Sequence, residues 1–377
     1  MNKQLVVLVL AIAVGAVPAC PQAKNVILFI GDGAGVSSLN AASIYGYREP
    51  HSLYIQRMPH LALADTSTAK EWVTDGAACA SAWATGHKTR NGVVSMSADA
   101  ERDVKDGEIY KTAMEYAMER GLSTGVISNE DRTGVTDAVV SAFYAHHNNR
   151  GRSSDIFQQA LNPKFGKGPD IMIGTGRKVI TAESTKAGHN IAAEIKSKGY
   201  VYLDSLAGVS QLDKSKDRLI ALLDDEEFDL NEAIHQAVAR LSKNPKGFLL
   251  VAHSDCHLSK ARTSLTRIVT FDKAIAAIGE EVKSNTMLLF TADHGFDLRL
   301  KGEKLAENLK TADNKQIPFS LEDEHTAEEV PLLAAGPGSE RVNGYLSNTD
   351  VFHVIMSAFG WEQWGSPSAE LRFPAKH

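Results

Sequence analysis

Cysteine is scarce in this sequence, and apolar runs of membrane-spanning length are missing beyond the first twenty residues. The 377 residues contain three cysteines, too few for a disulfide framework to be the main source of stability. We expect Cys79 and Cys256 to be buried free thiols, with a pairing between them in an oxidising compartment as the alternative. No internal repeat or low-complexity tract occurs, and no membrane span is expected.

An excess of basic residues is also missing, because the formal net charge is -6 at pH 7. This charge argues against a nucleic-acid partner. The hydrophobic content is 43%, an ordinary value that supports a sizeable core. A chain of this length fits one large α/β domain with insertions.

The N-terminus has the features of a secretory signal peptide over residues 1–19. A short basic start is followed by the apolar run Leu5–Val17 and then by a small residue, Ala19, at a cleavage site. We therefore expect a periplasmic or secreted protein, with a single mature domain over residues 20–377. A lipid anchor on Cys20 is the alternative, which Pro18 disfavours.

Two apolar runs each end at a carboxylate. Val26–Gly31 stops at Asp32, which is followed by another glycine, and Met287–Thr291 stops just before Asp293 and His294. Such runs are typical of strands that are buried on both faces of a parallel sheet. Open α/β sheets bind their ligands at the carboxyl ends of the strands. The two runs therefore predict a metal site at one edge of a sheet.

The rest of the chain alternates between strand and helix patterns, which favours an α/β fold with a parallel sheet. An Ala-rich helix is predicted to have Thr74 or Asp75 as its N-cap and to end at Gly86. Residues 177–225 are charged and weakly patterned, and we interpret them as an insertion over the sheet. Residues 297–323 are polar and are interpreted as a loop.

Metal-ligand residue types recur at the predicted strand ends. They comprise three carboxylates and three imidazoles: Asp32, Asp255, Asp293, His257, His294 and His325. Mixed oxygen and nitrogen ligands suit zinc, and six of them suffice for two ions with open positions for a substrate. Two metal ions about 4 Å apart stabilise the attacking and leaving oxygens of an in-line phosphoryl displacement. A secreted protein with such a site is most simply a hydrolase.

The sequence resembles the alkaline phosphatase family in six segments that follow the family's order and span nearly the whole mature chain. They are Gly31–Gly33, Thr74–Thr89, Ala142–Arg150, Thr291–His294, Glu324–Thr326 and Ala335–Gly338. The resemblance implies a three-layer αβα sandwich around a mostly parallel central sheet, as a compact member with small insertions. It also implies zinc-dependent hydrolysis of phosphate monoesters.

The resemblance assigns a role to each matching position. Asp32, Asp293 and His294 would hold the zinc that activates the nucleophile, and His325 would hold the other zinc. Arg150 matches the family's phosphate clamp, since a guanidinium binds two phosphate oxygens at once. Asp75 would orient that guanidinium.

The nucleophile position departs from the family pattern. The family's nucleophilic Ser or Thr follows the Asp of the helix motif, and this chain has Gly76 there. Thr74, Cys79 and Ser81 lie nearby, but none matches the family position. Three outcomes stay open: turnover is abolished or much reduced, water attacks directly, or Thr74 serves through a shifted turn.

The metal sites depart from the pattern as well. Asp255 and His257 are two residues apart where the family has a spacing of four, but residues i and i+2 of an extended segment project from the same face and can share one ion. Asp137 matches a position of the family's magnesium site. Val139 replaces the usual Thr there, and Ala252 or His253 replaces a Glu. Magnesium needs oxygen ligands, so these changes argue against it.

The sequence thus predicts a zinc-dependent phosphomonoesterase that acts on a small phosphorylated substrate. One alternative is a catalytically silent relative that binds zinc and inorganic phosphate, which Gly76 supports. The other is a phosphodiesterase or sulfatase of the same superfamily. Both a monomer and a homodimer are compatible with the sequence.

Overall fold

The structure is a computed structural model, and it describes residues 22–257, 261–282, 284–300 and 319–361. The predicted signal peptide, Cys20 and most of the predicted 297–323 loop lie outside these residues. Among the described helices, none combines the length and apolar character that crossing a membrane requires.

Ten strands form the central sheet, in the order β12-β2-β11-β8-β1-β7-β3-β4-β6-β5. They are β1 (Asn25–Gly31), β2 (His60–Ala64), β3 (Ser123–Ser128), β4 (Ile171–Gly174), β5 (Val201–Leu203), β6 (Leu219–Leu222), β7 (Phe248–Ser254), β8 (Thr286–Thr291), β11 (Val330–Ala335) and β12 (Gly344–Leu346). Only β11 runs against its two neighbours among these ten described strands. The strands β9 (Gly295–Leu300) and β10 (Phe319–Thr326) form a separate antiparallel pair.

Eleven helices are described: α1 (Val36–Tyr47), α2 (Gly76–Thr85), α3 (Ala113–Glu119), α4 (Ala138–Ser141), α5 (Ser153–Leu161), α6 (Arg177–Lys186), α7 (Ile191–Ser197), α8 (Leu206–Gln211), α9 (Leu230–Leu241), α10 (Ala261–Glu281) and α11 (Asp350–Ala358). Helices α1, α8, α9 and α10 pack together in one layer, and α2, α3, α4 and α11 pack in another. The sheet lies between them, which confirms the three-layer α/β architecture.

The centre of the sheet is its most apolar part. Every residue of β1, β7 and β8 is buried, and β1 pairs in parallel with both neighbours. Strands of this kind read as continuous apolar runs because helices cover both of their faces. The predicted placement of Asp32 at the carboxyl end of a parallel strand is therefore confirmed.

Helix α2 also follows the prediction. Asp75 is its N-cap, and the Asp75 carboxylate accepts a hydrogen bond from the backbone N–H of Ala78 (2.9 Å). The helix ends at Gly86, which has a left-handed conformation with φ +75°, as C-terminal glycines commonly do. Cys79 in this helix and Cys256 after β7 are free and buried, as expected.

Two interpretations of polar segments were wrong. Residues 177–225 contain β5 and β6, which extend the central sheet at one edge. The predicted loop over 297–323 overlaps the paired strands β9 and β10 at both of its ends. Strands β5 and β6 are apolar but only three and four residues long, and they lie within a charged stretch that hides them. Strands β9 and β10 carry charged residues themselves, so pairing with a neighbour decides their structure.

Candidate active site

Three parallel strands deliver the candidate ligands to one edge of the sheet. Strand β1 ends immediately before Asp32, β7 before Asp255, and β8 two residues before Asp293. Ile30 of β1 is in register with Thr291 of β8, and Gly31 with Ser254 of β7. The strand ends are therefore level with one another, and the side chains that follow them meet.

Asp32, Asp293 and His294 form one compact group, with a ligand atom from each within 4.8 Å of the others. The Nε2 atom of His294 lies 3.4 Å from an oxygen of each carboxylate. Asp32 Oδ1 and Asp293 Oδ2 are both buried and have no hydrogen-bond partner. Buried carboxylate oxygens without partners are costly. A divalent cation fits this donor set, because two carboxylates and an imidazole are ordinary zinc ligands. We name the group of Asp32, Asp293 and His294 the first centre.

Backbone contacts hold the first centre in place. Asp293 Oδ1 accepts hydrogen bonds from the N–H groups of Gly33 (3.0 Å) and His294 (3.1 Å), so only Oδ2 stays available. Gly33 has φ +68°, and a Cβ there would lie 2.1 Å from the Phe296 ring, so only glycine fits this close approach. The His294 Nδ1 lies 3.3 Å from the carbonyl of Gly295, which leaves Nε2 as the metal-facing nitrogen.

The charges of the first centre are strongly coupled. Burial raises the pKa of Asp293, and the negative charge of Asp32 raises it further. Burial opposes the charge on Asp32 too, but His253 and His294 together hold its pKa well below the ordinary value. Against the cost of burial, the two carboxylates raise the pKa of His294 to about 9. The imidazoles thus supply the positive charge that the carboxylates require.

His253 is a neighbour of the first centre within β7. It is fully buried, its Nε2 lies 3.5 Å from Asp32 Oδ2, and its Nδ1 is hydrogen-bonded to Ser128 Oγ (3.0 Å). Asp137, which matches a position of the family's magnesium site, uses one oxygen for the backbone N–H of Val139 (2.9 Å) and the other for Arg150 (3.2 Å).

His257 and His325 lie side by side next to the first centre, and with the predicted ligand Asp255 we name them the second centre. Among the described residues, only Asp32, Asp293 and His294 bring three ligand atoms within 4.8 Å of one another, so the structure does not gather Asp255 into such a group. The Nε2 atoms of the two imidazoles lie 3.4 Å apart. His325 Nδ1 donates to the carbonyl of Thr74 (3.0 Å), and its ring stacks on that of His294 with 3.4 Å between ring centroids. Burial and the neighbouring His294 lower the pKa of His325, which favours the neutral imidazole that a metal ion requires.

Asp255 is held differently from the other ligand candidates. Its Oδ2 accepts a hydrogen bond from Arg267 (3.0 Å), and its Oδ1 accepts one from the backbone N–H of His257 (3.1 Å). Arg267 is in turn paired with Glu227 (2.6 Å). Sequence reasoning missed Arg267 and Glu227, since the residues lie far apart in the chain and no motif marks them.

Arg150 lies at the N-terminus of α2 beside these centres. Its guanidinium pairs with Asp75 (3.1 Å) and with Asp137 (3.2 Å). Burial disfavours the charge, but these two carboxylates more than compensate and raise the pKa of Arg150. Asp75 Oδ2 also accepts from the N–H of Gly92 (2.9 Å), so Arg150 is held in one orientation.

Gly76 faces both Arg150 and the first centre. A Cβ built on Gly76 would lie 2.9 Å from Asp293 Oδ2, 3.7 Å from Arg150 Nη1 and 2.8 Å from Val139 Cγ2. A side chain at residue 76 would thus project between the guanidinium and the carboxylates. This is the geometry that a nucleophile position needs, but this chain has no atom there.

The other candidate nucleophiles are committed elsewhere. Thr74 Oγ1 donates to the carbonyl of Asp75 (2.9 Å), and Ser81 Oγ donates to the carbonyl of Ala77 (2.7 Å). Cys79 is completely buried, and burial together with the charge of Asp293 raises its pKa well above the ordinary value. A neutral thiol is a poor nucleophile.

The fold and the site together define a class: an α/β protein with a metal-type ligand group and an anchored arginine at the carboxyl edge of its sheet. The family model described as alkaline phosphatase matches residues 23–313. The chain belongs to the alkaline phosphatase family.

Individual relatives agree with this assignment. The alkaline phosphatase of Escherichia coli is 26% identical over 420 residues, covering 90% of this chain and 86% of the relative. The tissue-nonspecific alkaline phosphatase of Gallus gallus is 30% identical over 336 residues, which cover 72% of this chain and 63% of the relative. A solved variant of TAB5 alkaline phosphatase, with Mg bound in its M3 site, aligns with TM-score 0.74 and 26% identity over 91% of this chain and 100% of that one.

Proposed function

We propose that this protein hydrolyses phosphate monoesters with the help of two zinc ions. One observation carries the proposal: the position of a Cβ on Gly76 lies within 3.7 Å of Arg150 and 2.9 Å of Asp293. A fixed guanidinium and a cation-type ligand group therefore face the same point. A tetrahedral dianion such as a phosphoryl group needs both kinds of partner.

Arg150 positions the substrate in this proposal. Its guanidinium binds two non-reacting phosphate oxygens, and the carboxylates of Asp75 and Asp137 keep it in the orientation that this contact requires. Positioning and charge stabilisation account for most of the catalysis of phosphoryl transfer, which asks little covalent chemistry of the protein.

The metal ligands fall into two sets. Asp32, Asp293 and His294 would hold one zinc ion, and Asp255, His257 and His325 would hold the other. Zinc bound there would stabilise negative charge on the phosphoryl, attacking and leaving oxygens. The protein contributes the orientation of each imidazole through its second ring nitrogen, as for His325 on Thr74.

The attacking oxygen comes from solvent water, because residue 76 has no side chain and the nearby hydroxyl groups are occupied. A new bond forms between phosphorus and the water oxygen as the bond to the leaving alcohol oxygen breaks. One water proton ends on the alcohol, and the products are the alcohol and hydrogen phosphate. This pathway is a single displacement with no covalent enzyme intermediate.

The turnover of p-nitrophenyl phosphate tests the proposed activity. Protein treated with EDTA should be inactive and should recover on addition of zinc. Arg150→Lys should lower kcat/KM by about tenfold or more, since a lysine cannot bind two oxygens at once. Arg152→Lys is the matched control, because Arg152 is half-exposed and pairs with Asp103 outside the site. A preference for diesters or sulfate esters over monoesters would contradict the proposal.

Stereochemistry at phosphorus tests the single displacement. A substrate made chiral with oxygen isotopes should give phosphate of inverted configuration. Transfer of the phosphoryl group to Tris should be weak, because no phosphorylated enzyme exists to be intercepted. Retention of configuration would show a covalent intermediate and would point to Thr74.

A second candidate function is a binding protein for zinc and inorganic phosphate, and the missing side chain at Gly76 favours it. It predicts zinc-dependent phosphate binding without turnover. Phosphate binding measured by equilibrium dialysis, next to the hydrolysis assay, separates the two functions.

We also propose that the protein is periplasmic or secreted and acts as a single catalytic domain over residues 20–377.

A further inference from the structure

A cavity of about 440 Å³ lies at the opposite end of the sheet from the candidate active site. The residues just before β4 and β6 line it, together with the end of α9. The active site follows the carboxyl ends of β1, β7 and β8, whereas this cavity adjoins the amino ends of strands. Its volume falls within the range of small-molecule pockets.

The cavity has an excess of positive charge. Its charged lining residues are Lys167, Arg218, Arg240, Lys243, Asp170 and Asp217. Asp170 is fully engaged, because its Oδ1 binds Lys167 (2.5 Å) and its Oδ2 accepts from the backbone N–H of Thr124 (2.9 Å). The four cationic side chains therefore outnumber the two carboxylates that line the cavity, which leaves an excess of two positive charges.

Arg240 is the most unusual of these residues, because it is only 3% exposed. Its Nη2 donates to the carbonyls of Val209 (3.0 Å) and Leu212 (2.9 Å) at the end of α8, and its Nη1 donates to Gln236 Oε1 (2.7 Å). All of these acceptors are uncharged. Burial, which Asp213 and Asp217 offset only in part, lowers the pKa of Arg240. Its charge is thus poorly compensated.

Arg240 and Arg218 each have a buried donor without an acceptor. The Nε atoms of both are buried and make no hydrogen bond, and the Arg218 Nε lies 3.9 Å from the nearest carboxylate oxygen, on Asp170. The remaining nitrogens of Arg218 donate to the carbonyls of Lys167 and Lys198 and to the hydroxyl of Tyr200. A guanidinium Nε–H is always a donor. These two unpartnered donors leave the positive charge behind the cavity wall incompletely compensated, which favours an anion in the cavity.

We propose that this cavity is a second anion site, which binds the oxyanion group of a small phosphorylated or carboxylated molecule. The exposed Lys243 contacts the bound oxygens at the entrance, and the charges of Arg218 and Arg240 behind it attract the anion. The site is separate from the phosphate position at Arg150, and it does not depend on metal binding or turnover.

Equilibrium dialysis of the zinc-loaded protein tests this site, with labelled inorganic phosphate and labelled citrate as the two probes. At least one probe should bind at a site additional to the catalytic position. Occupancy of the catalytic position itself is measured independently, by inhibition of p-nitrophenyl phosphate hydrolysis. Arg218→Gln should weaken that additional binding by at least about tenfold and leave the inhibition constant of phosphate unchanged. The probe that binds more tightly identifies phosphate or carboxylate as the group recognised.

Arg177→Gln is the matched control, because it removes the same charge from an arginine that is already paired with Asp204 and Asp224. It should leave the additional binding within about twofold. Lys243→Gln is the second test variant, on an exposed side chain whose loss does not threaten folding, and it should weaken the additional binding. Failure of both probes to bind beyond the catalytic position would overturn the proposal, and so would equal binding by Arg218→Gln and wild type.

Discussion

The first and second centres use similar ligands but hold them in different ways. In the first centre, Asp32 and Asp293 each keep a buried oxygen without a partner. In the second, the carboxylate of Asp255 is occupied by Arg267 and by the backbone of His257. The first centre therefore has carboxylate oxygens ready to bind a cation, although leaving them without partners destabilises the metal-free protein. In the second centre, Asp255 must give up hydrogen bonds within the protein before it can bind an ion. We expect zinc to bind the first centre more tightly.

The largest effect should come from removing a carboxylate of the first centre. Asp293→Asn should lower zinc affinity and kcat/KM by more than about a hundredfold, since a direct ligand is worth at least as much as its supporting contacts. It should also stabilise the metal-free protein, because burial and Asp32 disfavour the Asp293 charge. Asp155→Asn, on an exposed carboxylate, is the control. Normal zinc binding by Asp293→Asn would contradict the proposal that the first centre holds a zinc ion.

Gly76→Ser tests the region between the first centre and Arg150. The new Cβ would lie 2.8 Å from Val139 Cγ2, so the single substitution should destabilise the protein by about 1–3 kcal/mol through overpacking. Adding Val139→Ala should relieve the contact with Val139 and leave only the 2.9 Å contact with Asp293 Oδ2. The double variant should then form a phosphoserine and hydrolyse the chiral ester with retention.

The control for this experiment is Val139→Ala alone, which should keep inversion of configuration. Mass spectrometry of protein quenched during turnover detects the phosphoserine. A double variant that is stable and active but never phosphorylated would show that residue 76 does not face the phosphoryl group.

Arg267→Met should have a smaller effect, and one confined to the second centre. It frees Asp255 Oδ2 but also removes the group that holds this carboxylate in place. We expect the weaker zinc site to change affinity by about tenfold and the tighter site to stay unchanged. Glu227→Gln is the companion variant, because Glu227 contacts Arg267 without contacting Asp255. If Arg267→Met alters only the tighter site, the division into two centres is wrong.

The same contrast explains how much of the molecule could be predicted from the sequence. The apolar runs before Asp32 and Asp293 are local patterns, and strands buried on both faces need little else to be recognised. The N-cap at Asp75 and the C-terminal Gly86 follow from backbone chemistry at single positions. The first centre and the start of α2 could therefore be predicted before the structure was known.

The remaining features depend on contacts between distant residues. The partnership of Arg267 with Asp255 joins α10 to the end of β7, and the sequence around Arg267 gives no sign of it. Strand β5 has three residues and lies at the sheet edge, where pairing with β6 rather than its own pattern determines its structure. The unpartnered Nε–H groups of Arg218 and Arg240 likewise become visible only when the chain is folded.

Titration of zinc into the metal-free protein tests the central claim most directly. The account predicts two zinc ions per chain, with affinities that differ by at least about tenfold. Asp293→Asn should abolish the tighter site, and His257→Ala should abolish the weaker one. Two sites of equal affinity, loss of the tighter site on His257→Ala, or no zinc binding at all would contradict it.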